Sequence, residues 1–135
     1  MAHTVQPLPA RPAFRVGYAA LAVALGAGLA VALAHSGSGG WHALVFGLAP
    51  DLAFLFTAGQ GLAKGQLHPR AVPLYNALHS LVGPIALGTS AALGLFGLDV
   101  VWLVAALAWA AHIATDRALG FGHRTPEGFQ RIARA

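Results

Sequence analysis

The stretch ALAWAAHIATDRALGFG, residues 106–122, decides the fold. It begins as an apolar run, and His112, Asp116 and Arg117 then interrupt a segment otherwise suited to lipid. A charged side chain inside a bilayer is costly and generally faces a bundle interior or a cavity. His112 and Asp116 stand four residues apart, a spacing that puts both on one helical face. The stretch therefore predicts a membrane helix whose polar face is turned toward other helices.

Composition supports that environment. The 135 residues are 57% hydrophobic and only 9% charged, whereas a soluble domain carries roughly 25% charged residues. So few charges cannot cover a water-facing surface. The net charge of +4 would suggest a nucleic-acid partner in a polar protein. Here membrane topology accounts for the basic residues, and no nucleic acid is expected. The absence of cysteine excludes a disulfide framework and a thiolate metal site.

A crossing helix needs about 20 mainly apolar residues, and four windows qualify, near 14–34, 41–60, 71–96 and 99–119. Short polar or glycine-rich breaks separate them, which favours antiparallel neighbours. The expectation is an all-α, four-helix transmembrane bundle forming one domain over residues 1–135, with a basic tail at 120–135. Four alternating crossings place Arg11, Arg15, Lys64, Arg70, Arg117, Arg124, Arg131 and Arg134 on one side. Lys and Arg concentrate on cytoplasmic flanks, so both termini are expected in the cytoplasm of a multi-pass protein. Ala32, Leu33 and Ala34 give the first window an A-x-A ending, like a signal peptide. Its apolar run exceeds the roughly 7–15 residues usual there, so it reads as a span.

Ionisable residues within the spans share a depth. Asp51 lies nine residues before Gln60, His79 eight after Ala71, and His112 seven before Leu119. At about 1.5 Å per residue, all three sit roughly 10–14 Å below the same boundary. Asp116 lies one turn from His112, and Asn76 and His79 pair at i,i+3. Pro50 and Pro84 would free the carbonyls of Phe46 and Ser80 beside Asp51 and His79. Irregular backbone at such depth is tolerated where protein, polar side chains or water satisfy it.

Imidazole and carboxylate suit Zn, Mn or non-haem Fe. The expected ligands are Asp51, His79, His112 and Asp116, with Tyr75 and Asn76 around them and Arg117 orienting a carboxylate or an anionic substrate. Metal-assisted hydrolysis of a membrane-derived or phosphorylated substrate is one function this chemistry supports. Proton, ion or small-molecule transport is a second, since intramembrane Asp and His form relays. A purely structural network is the third, although membrane hydrogen bonds average only about 0.6 kcal/mol. His3, His35 and His123 read as solvated, and His68 as an exposed loop residue. Trp41, His42 and Tyr75 also read as interfacial anchors. Trp102 and Trp109 read as packing or lipid-facing residues. Gly83, Gly88 and Gly94 suit close helix packing, and the high glycine and alanine content is compatible with a homo-oligomer. The basic tail, with Phe121 and Phe129, is expected to rest on the anionic leaflet.

Three blocks, PDLAFLF (50–56), LYNALHS (74–80) and WAAHIATDRALGFG (109–122), resemble those of domain of unknown function 4260, a family of small bacterial integral membrane proteins. The resemblance covers roughly residues 45–129 and contains Asp51, Tyr75, Asn76, His79, His112, Asp116 and Arg117. It implies a four-helix protein of the bacterial inner membrane with no assigned activity. The family pattern runs through a YG-x-K-Y-P-like stretch to a further histidine. This chain has Phe121, Gly122, His123, Arg124, Thr125 and Pro126, with no histidine after them. Pro50 with Asp51, the His68 region, and His79 with Ser80 are more loosely similar to membrane-bound metal-dependent hydrolases.

Overall fold

The computed structural model describes residues 12–56 and 61–130. The fold is all-helical, as expected from the sequence. Helix α1 spans Pro12–Ser36, α2 Gly40–Leu48, α3 Val72–Leu78, α4 Val82–Ala92 and α5 Val100–Leu119. Short 3-10 segments occupy Ala49–Phe56, Pro69–Ala71 and Leu95–Gly97. Among the described residues, two helices, α1 and α5, are long and apolar enough to cross a membrane.

The other two apolar windows are not continuous helices. The window at 41–60 is α2 followed by the 3-10 segment that begins at Ala49, and its residues 57–60 lie outside the described part. The window at 71–96 divides into α3 and α4. This second break falls upstream of the proline that would have caused it. Pro84 occupies the first turn of α4, where its missing N–H is one that no helix can use. The Ser80 carbonyl therefore has no intrahelical donor to lose, and the chain turns over His79–Leu81 instead.

Helix α5 is the axis of the bundle. Asp99 caps it, its Oδ1 accepting from Val101 N at 3.1 Å. Val104, Ala105, Ala106, Ala108, Ile113 and Ala114 are all buried along it, and these mostly small residues let neighbours approach closely. Arg15, near the start of α1, donates from Nε to Ala118 O at 2.8 Å, so α1 runs antiparallel to α5. Gly39 lies against Val104 and Gly47 against Ala108, so α2 runs parallel to α5. Gly83 lies against Trp109 and Gly88 against Ala106, which makes α4 antiparallel. A Cβ at Gly83 would overlap the Trp109 ring, so glycine is what allows this crossing.

Helix α1 contributes no buried residue, and Val16, Val23 and Val31 are exposed. A second core of Ala53, Leu67, Ala71, Val72 and Tyr75 fills the end where α5 finishes. The tail turns back over this core through residue 130. Thr125 N donates to Phe129 O, and Leu67 N donates to Gly128 O at 2.9 Å. Gly128 has φ of 95°, and a Cβ there would collide with the Leu67 carbonyl. Only glycine permits both this turn and this approach.

Candidate metal centre

Three pieces of backbone deliver four donors. Asp51 lies in the first turn of the 3-10 segment, His79 at the C-terminal cap of α3, and His112 and Asp116 one turn apart on α5. One donor atom from each lies within 4.8 Å of the others. His79 Nε2 stands 3.2 Å from Asp116 Oδ2 and 3.6 Å from Asp51 Oδ1. His112 Nε2 stands 3.6 Å from each of the same two oxygens. Tetrahedral ligands at about 2.0–2.2 Å from a zinc-sized cation stand about 3.3–3.6 Å apart. The four nitrogen–oxygen separations are close to that spacing, while the full set of donor separations extends to 4.8 Å.

Hydrogen bonding points the same way. His79 Nδ1 lies 2.9 Å from Tyr75 O. A carbonyl only accepts, so Nδ1 carries a proton, and Nε2 is the ring atom turned to the carboxylates. Both His79 Nε2 and His112 Nε2 are buried without a hydrogen-bond partner. This group of donors could hold a metal ion.

The surroundings hold His79 firmly. Its ring stacks on buried Tyr75 with centroids 3.8 Å apart, and meets the His112 ring edge-on at 5.5 Å. Tyr75 is therefore a wall of the centre and not an interfacial anchor. The break after α3 leaves carbonyls without intrahelical donors, and side chains supply them. Trp109 Nε1 donates to Leu78 O at 2.7 Å, and Arg117 Nη2 donates to His79 O at 3.1 Å. His123 Nε2, on the tail, reaches the same His79 carbonyl at 3.2 Å.

Arg117, expected to orient a carboxylate, gives its hydrogen bonds to carbonyls, the second being Phe121 O at 3.1 Å. It steadies His79 through the backbone. Asn76 acts one step further out. Its amide donates to Arg124 O at 3.0 Å, and its Oδ1 accepts from Arg124 N at 2.7 Å. This clasp seats Arg124, which the sequence reading had not singled out, with its guanidinium 5.0 Å from the Tyr75 ring and 5.4 Å from that of Phe54. Arg124 also donates to Gly65 O and Gly128 O. Asn76 was the one signal available, since an amide near a buried histidine needs partners of its own. His123, expected to be solvated, bonds the His79 carbonyl. His68 Nδ1 accepts from Arg70 N, capping the short 3-10 turn.

No curated protein and no solved structure matches the chain. A family model does, described as Domain of unknown function (DUF4260), and it covers residues 17–133. With nearly the whole chain matched, donors and tail included, the protein belongs to the DUF4260 family.

Proposed function

We propose that this protein crosses the bacterial inner membrane four times, with both termini cytoplasmic, and holds a divalent cation between Asp51, His79, His112 and Asp116 for hydrolytic chemistry. The observation that carries the reading is the pair of buried imidazole nitrogens, each without a hydrogen-bond partner and each facing two carboxylate oxygens. Membrane residence is supported by α1, an apolar helix with no buried residue, and by the single-sided distribution of Lys and Arg.

A divalent cation in this position supplies Lewis acidity for hydrolysis. The chain's own residues set the stage. Tyr75 O fixes the His79 tautomer, and Arg117 and His123 hold the His79 carbonyl. Asp51, with 49% of its side chain exposed, is the donor that water or substrate reaches first.

Metal analysis of protein purified in mild detergent without chelator tests the reading. One divalent ion per chain is expected in the wild type, lost in His79→Ala and His112→Ala. Wild-type protein without bound metal would reject the centre, and ion flux in liposomes would then favour transport.

A further inference from the structure

The four donors differ sharply in access. Side-chain exposure is 1% for His79, 14% for His112, 20% for Asp116 and 49% for Asp51. The centre therefore opens along the edge that carries Asp51. In a 3-10 helix residues three apart eclipse one another, so Phe54 follows Asp51 on that edge, and Leu48 ends α2 three residues before Asp51. Both are exposed, as are Leu52 and Leu55, while Ala53 between them is fully buried. The accessible donor of an ionic site is thus rimmed by apolar side chains.

That rim is the end of a longer feature. Trp41, Leu44, Val45 and Leu48 are exposed at helical spacing along α2, and Leu52 and Leu55 continue the series past the centre. From Trp41 to Asp51 the stripe rises about 17 Å by helical geometry. An exposed apolar stripe of this kind marks a membrane or partner contact, and this one leads straight to a charged group. Charge selects the other end of the occupant. Two carboxylates neutralise a divalent cation, and buried Arg117, bonded to the His79 and Phe121 carbonyls, adds positive charge next to Asp116 in the chain.

We propose that the centre takes the anionic headgroup of a bilayer amphiphile, which enters sideways from the bilayer past Leu52, Phe54 and Leu55. The proposal rests on the metal reading, and one experiment separates the two. Full-length protein is loaded with Co2+ in detergent, its cobalt content is measured, and 31P relaxation is recorded for palmitoyl lysophosphatidic acid and for glycerol 3-phosphate. Zn2+-loaded protein serves as the diamagnetic reference. Cobalt is expected to broaden the lysolipid signal at least tenfold more than that of the soluble phosphate. The Leu52→Gln/Leu55→Gln variant is expected to keep its cobalt and lose most of that broadening. Equal broadening of both phosphates, or none with cobalt bound, would overturn lateral entry and leave the metal reading standing. Failure to bind cobalt would overturn both. A change in oligomeric state of the double variant, with lysolipid broadening intact, would assign the stripe to a second copy and reject the lipid.

Discussion

Helix α5 and the two interrupted segments beside it each supply half of the centre, by opposite means. His112 and Asp116 reach it from an unbroken helix, where i,i+4 spacing alone aligns them. Asp51 and His79 reach it from places where regular α-helix stops. The regular half costs the backbone nothing. The irregular half frees carbonyls, and α5 repays them through Trp109 and Arg117. One helix thus provides two donors and also braces the break that positions a third.

Substitutions at the brace sharpen this contrast, and the largest effect is expected at Arg117. Arg117→Met leaves the His79 and Phe121 carbonyls without their charged donor and is expected to cost about 3 kcal/mol. Cation affinity should fall about 10–100-fold with it, as for other groups that orient a ligand. Denaturation in detergent and metal titration read the two effects separately. Next comes Gly83→Ala, which drives a methyl into the Trp109 ring where α4 crosses α5. Overpacking of this kind costs about 1–3 kcal/mol, and a shifted Trp109 emission band would accompany it.

Asn76→Ala opens the clasp on Arg124, with an expected loss of about 1–2 kcal/mol. Limited trypsin digestion should then cut at Arg124 sooner than in the wild type. Equal cleavage rates would mean that the clasp does not hold the tail. Trp109→Phe keeps most of the packing and removes only the bond to Leu78 O, so about 1 kcal/mol is expected. On the other side of the bundle, Val23→Ala on α1 alters an exposed position and should stay within about 0.5 kcal/mol in thermal unfolding.

The same contrast explains what could be read from the sequence. The donors were legible because burying Asp51, His79, His112 and Asp116 in apolar segments is costly, and residue counting placed three of them at one depth. The helical class was legible from the apolar windows. The break at His79 was not, because Pro84 marks the first turn of the following helix and not the point of interruption. The seating of Arg124 was not legible either. It is buried against Tyr75 and Phe54 by long-range bonds with Asn76 and Gly65 and a local one to Gly128. Local sequence carries no trace of the long-range pairings.

X-ray absorption of the zinc-loaded protein tests most directly whether interrupted and uninterrupted helices deliver their donors to one cation. The expected first shell is four nitrogen and oxygen atoms at about 2.0–2.1 Å, with outer scattering from two imidazoles. A shell of oxygens alone, or scattering from a single imidazole, would contradict it.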